Sequence, residues 1–169
     1  MKWTSAAIAR LGVLTAVALV LGWLDRMLVI SPVPGVKLGL ANLVLLYAIY
    51  LMDTKSAVLL MLLKVGLTGL LFGSSAWTLL ISFSGGVVSL ATMLLFHRIL
   101  REKVVLVSML GAFAHTLGQL LIVVLFHMTP LAFVVSYLPV LALFAVGTGL
   151  LTGVVAKYSL RALSRTAQK

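Results

Sequence analysis

The chain has 169 residues, of which 63% are hydrophobic and 9% charged, against roughly one quarter charged in an average soluble domain. That balance excludes a water-soluble globular domain and predicts a single integral membrane domain over residues 1–169. The net charge of +10 does not indicate nucleic acid, because the basic residues stand at the ends of apolar segments rather than in a stripe interleaved with exposed aromatics; with no cysteine, thiolate metal sites, disulfides and thiol chemistry are excluded too.

Six stretches are apolar and long enough to cross a hydrocarbon core of roughly 30 Å: residues 5–24, 36–52, 56–72, 77–96, 104–126 and 131–156. The connections are short. An all-α membrane fold, a six-transmembrane-helix bundle, is therefore predicted. The first stretch lacks a convincing cleavage site and is followed by further spans, so it reads as a helix and not as a removed signal peptide. It carries Ser5, Ala9, Gly12 and Ala16 at i, i+4, i+7 and i+11, a small-residue stripe that lets another helix approach closely, either in a partner protein or within the bundle.

After it come Asp25 and Arg26, then Pro32, Pro34 and Gly35. Asp25 either pairs with Arg26 or Lys37 at the outer surface or belongs to a site. The second stretch places Lys37 near its start, as interfacial anchor or ligand contact, and Asn42 roughly 8 Å deeper. In the third, Lys64 sits mid-span, where an ionised ammonium facing hydrocarbon costs at least ~2.5–3.5 kcal/mol. It lies about 12 Å from the outer end of its helix, too far for easy snorkelling, and Thr68 shares its face one turn away. The acidic residues are only Asp25, Asp53 and Glu102, so the anionic group of a ligand is the preferred partner.

In the fifth stretch Ser108, Gly111, His115 and Gln119 form one face, with Gln119 near the depth of Asn42 and His115 near that of Lys64. Taken singly, Asn42, His115 and Gln119 also fit helix-to-helix hydrogen bonds, each worth under ~1 kcal/mol. Together with Lys64 they outline a cavity in the outer half of the bundle. Ala145, Gly149 and Gly153 in the sixth stretch, and Gly69 with Gly73 in the third, read as internal packing.

Alternate loops differ in charge. One side collects Lys2, Arg10, Lys55, Arg98, Arg101, Lys103, Lys157, Arg161, Arg165 and Lys169, the other only Arg26 and Lys37. Both termini are therefore predicted to be cytoplasmic, with Trp23, Trp77, Phe126 and Tyr137 near the outer interface, the first three fitting loop packing equally well. The sequence has no HExxH, GxSxG, P-loop or DDxxD element, and its three acids are isolated. It points to no catalytic residue, no metal site and no cofactor, but to a protein that binds a small molecule with an anionic or polar group.

Four segments carry a resemblance: residues 34–42 (PGVKLGLAN), 64–73 ending in Leu71-Phe72-Gly73, Ser84-Gly85-Gly86, and 111–120 (GAFAHTLGQL). They resemble the Gx transporter family, commonly labelled heptaprenyl diphosphate synthase component I, over nearly the whole chain. The chain departs from that pattern with Lys64 in place of an arginine, losing the planar fork, and with Asp25 in place of a glutamate. The family is similar in turn to the substrate-binding S components of energy-coupling-factor transporters. That resemblance implies a bacterial cytoplasmic-membrane protein whose first helix docks on a membrane coupling subunit served by ATPases. It implies a site toward the outer half, closed by the loop after the first helix. The ligand it suggests is isoprenoid, quinone-precursor or flavin-related. The rival reading is a non-transport subunit of a quinone, prenyl-lipid or flavin-linked electron-transfer assembly.

Overall fold

A computed structural model describes residues 4–28 and 39–166, which form six helices: α1 Ser5–Met27, α2 Asn42–Leu51, α3 Thr54–Phe72, α4 Ala76–Ile99, α5 Val104–Leu125 and α6 Leu131–Thr166. Five of them are long and apolar enough to cross a membrane; α2 is the exception, with 10 residues. The predicted helical membrane bundle is thus present, with two spans redrawn. The second was expected from residue 36, yet Gly39 has φ +83°, in the left-handed region, and a turn at Leu40 and Ala41 precedes the helix. Asn42 is consequently the first residue of α2, and its depth cannot be measured from Lys37. The sixth helix runs past residue 156 to Thr166.

Helix starts follow from local acceptors. Thr4 takes the N–H of Ala7, Asp53 that of Ser56 and Ser75 that of Thr78, at 3.2, 2.8 and 3.2 Å, each satisfying a donor that the first turn leaves over. Gly73, at φ +58°, ends α3. It caps that helix; of the two glycines read as packing residues there, only Gly69 lies against a neighbour, the side chain of Leu79.

The helices α1, α3, α4, α5 and α6 form an arc in which each touches the next, and the short α2 touches all five. Its Val44, Leu45, Leu46 and Ala48 are fully buried, so this half-length helix is the centre of the core. At the far side of the arc, small residues let α5 and α6 meet backbone to backbone. A β-carbon on Gly149 would lie 2.7 Å from Met109 Cα, and one on Gly153 2.8 Å from Val105 Cα; Ser108 and Thr152 share a hydrogen bond of 3.0 Å beside them. Because the obstacle is backbone, Gly153→Leu is expected to lower stability by about 1–3 kcal/mol or more, read as a fall in melting temperature in detergent. Gly147→Ala, with open space around its added carbon, should leave that temperature unchanged or raise it.

In α1 the buried Leu11, Thr15, Ala18 and Asp25 mark the inward face. Ser5, Ala9, Gly12 and Ala16 are all exposed, and a β-carbon on Gly12 would meet nothing within 4 Å. At 100° per residue the stripe points nearly away from the buried face. It does not pack within the described bundle.

Candidate functional site

On α3 the buried positions Ala57, Leu60, Met61, Val65 and Thr68 form a helical stripe, and Lys64, half-buried, continues it. The spacing carries the lysine into the bundle. On α5 the same logic turns His115 and Gln119, 4% and 0% exposed, inward. Room for these two side chains comes from Gly85 on α4, where a β-carbon would lie 2.7 Å from Gln119 Cγ and 2.9 Å from His115 Cε1. Ser84 beside it donates to the Gly118 carbonyl at 2.7 Å, and Ser89 to that of Gly111 at 2.9 Å. These bonds hold α4 against α5 at the level of the site.

Lys64, Thr68, His115 and Gln119 line one void of about 30 Å³. Four of the six residues expected to bind ligand thus come together from two helices. Asn42 is 2% exposed and lies beside Gly39 and His115, behind the cavity wall; neither atom of its amide has a hydrogen bond among the described residues. Lys37 and residues 32–35, expected to cover the entrance, lie outside the described residues.

The lining also includes residues that the sequence had not assigned to the site, Asp25 having been left open between a surface pair and a site role. Ser82 on α4 lines the void, and so do Gly22 and Asp25 on α1. Ser82 was within reach of the same argument that singled out Thr68, a polar group inside an apolar span. Asp25 is not at the outer surface: it is 5% exposed, and its Oδ2 accepts the N–H groups of Gly39 at 2.7 Å and Leu40 at 3.2 Å. This clamp ties the end of α1 to the start of α2. Arg26 turns instead to the end of α3, donating to the Phe72 carbonyl at 3.4 Å and to Ser74 Oγ, with its guanidinium 5.3 Å from the Phe72 ring centre. There it meets the negative end of the helix.

A ligand's anionic group was the expected partner of Lys64, and Asp25 of the chain itself lines the same void. A carboxylate and an ammonium border the same small space. The site suits the polar end of a ligand with both an anionic oxygen and hydrogen-bonding groups, and its volume admits a water or two, far below the roughly 300–1,000 Å³ that encloses a whole drug-sized ligand. Among the described residues no group of three or more His, Cys, Asp or Glu is placed to hold a metal ion.

Gly39 is the residue on which the clamp depends. A β-carbon there would be 2.8 Å from Asn42 Nδ2 and 2.9 Å from His115 Cδ2, and a left-handed backbone costs a non-glycine residue roughly 1–2 kcal/mol. Gly39→Ala should destabilise the protein by at least that amount, whereas Gly66→Ala, in open space on α3, should be neutral or stabilising. Thermal unfolding of the two variants side by side measures the difference.

Fold and site define a multi-pass helical membrane protein with a polar cavity inside the bundle. Residues 14–160 match the model of the family described as heptaprenyl diphosphate synthase component I, and the chain belongs to that family. No curated protein and no solved structure matches it. The matched segment contains every residue of the cavity, while Ser5, Ala9 and Gly12 precede it.

Proposed function

We propose that this chain is the substrate-binding subunit, of S-component type, of an energy-coupling-factor transporter in a bacterial cytoplasmic membrane. The observation that carries the reading is the convergence of Lys64, Thr68, His115 and Gln119 on one cavity within the bundle. A charged, hydrogen-bonding interior is expensive in a membrane and is retained where something polar binds. The void accepts the anionic or polar end of a small molecule; the rest enters as the Asp25 contact with Gly39 opens. An isoprenoid, quinone-precursor or flavin-related compound with such an end fits this description.

The ligand leaves chemically unchanged. Asp25 and Asp53 are engaged by backbone N–H groups, which leaves Glu102 alone among the acids and supplies no carboxylate set to hold magnesium against a diphosphate. Energy comes from separate ATPases through a membrane coupling subunit that packs on the exposed stripe of α1. Both termini face the cytoplasm, a reading supported by the loop charges; a cysteine at position 169 that reacts with an impermeant reagent in intact cells would refute that orientation.

A second reading is favoured by the family description: a non-catalytic partner of a prenyl-lipid enzyme or of a flavin-linked electron-transfer assembly. Purification of the full chain from its membrane, with mass spectrometry of what travels with it, separates the two. Recovery of a coupling subunit, its ATPases and a small polar ligand is the expected result. Recovery of a prenyltransferase or redox subunit without them would overturn the transport reading.

A further inference from the structure

A second cleft lies far from the cavity, at the end of the bundle where the basic residues gather. Gly149 and Gly153 bring α6 against Met109 and Val105 of α5, but the two helices part company immediately beyond. The α5 chain turns away at Lys103, while α6 continues to Thr166. The wedge that opens is a cleft of about 320 Å³ walled by Val104, Val105, Leu106 and Met109, with Lys103, Lys157 and Glu102 at its rim.

Its polar part is built of lysines without partners. Neither the Lys103 nor the Lys157 ammonium has an ion pair or hydrogen bond among the described residues. Lys157 is half-buried, one turn beyond Gly153, so its position is held by the packing of α6. The two ammonium groups and the Glu102 carboxylate sum to one positive charge. The wall below them is apolar and continues into Leu106, which is exposed on the outside of the bundle.

We infer that this cleft binds one anionic phospholipid, its phosphodiester between Lys103 and Lys157 and an acyl chain along Leu106 and Met109. Basic pockets between membrane helices recognise lipid head groups in this way. The single negative charge of a phosphodiester balances the rim. A prenyl diphosphate carries two or more and would meet Glu102 uncompensated. Free phosphate would gain nothing from the apolar wall.

The test is native mass spectrometry of the full chain in detergent, with phosphatidylglycerol or phosphatidylcholine added at equal concentration. Phosphatidylglycerol should be retained preferentially, and Lys103→Gln with Lys157→Gln should lower its occupancy about tenfold or more. Arginine at both positions should restore it. Lys55→Gln with Arg98→Gln, which removes the same charge from the same end, should leave occupancy within about twofold of the parent. Millimolar inorganic phosphate should not displace the lipid. Equal retention of phosphatidylcholine, an equal loss in the Lys55 and Arg98 variant, or displacement by phosphate would each overturn the assignment.

Discussion

Lys64→Met should weaken binding of the co-purifying ligand by about 1.5–3 kcal/mol, the worth of a hydrogen bond to a charged group, or roughly ten- to a hundredfold in affinity. Methionine keeps the length and apolar stem of lysine, so the loss reports the ammonium rather than packing. Lys64→Arg should retain part of the affinity, because the charge stays while the donor geometry changes. Gln119→Leu removes neutral hydrogen bonds only and should cost less. The nearby Asp25 provides the rival explanation, in which Lys64 balances a buried carboxylate and has no role toward ligand. A lone methionine would then lower the melting temperature, Lys64→Met with Asp25→Asn would restore it, and affinity would remain that of the parent. An intact fold with unchanged affinity would remove Lys64 from the site.

The parts of this site that were legible in the sequence are those fixed by helical periodicity. Lys64 with Thr68, and His115 with Gln119, are one turn apart on regular helices, and an ionisable or amide group in an apolar span stands out against its neighbours. Their convergence followed from matching depths. The depth of Asn42 was counted along a continuous helix from residue 36, whereas the left-handed Gly39 starts α2 later. No propensity signals that break: Gly39 lies in an apolar run, and the force holding it is the carboxylate of Asp25, 14 residues earlier. The same long-range contact is why Asp25 could not be placed. Pairwise packing glycines were legible as a class, but not by partner. Gly85, which makes room for His115 and Gln119, looks in the sequence like any other small residue of a membrane helix.

The stripe on α1 divides the two uses of small residues. Gly149 and Gly153 serve internal contact, and substitution there should lower the melting temperature. Ser5, Ala9, Gly12 and Ala16 are exposed with open space at Gly12, so Ala9→Leu or Gly12→Leu should leave the isolated protein folded, with an unchanged melting temperature. In the membrane, where lipid is as apolar as leucine, helices associate mainly by close packing and interhelical hydrogen bonds. A leucine on that face holds a partner helix off by the width of its side chain. Co-purification of a coupling subunit should therefore be lost in either variant, while the ligand is still recovered from the isolated chain. Loss of fold in Gly12→Leu would mean that the stripe packs within the protein after all, and intact co-purification would place the coupling surface on another helix.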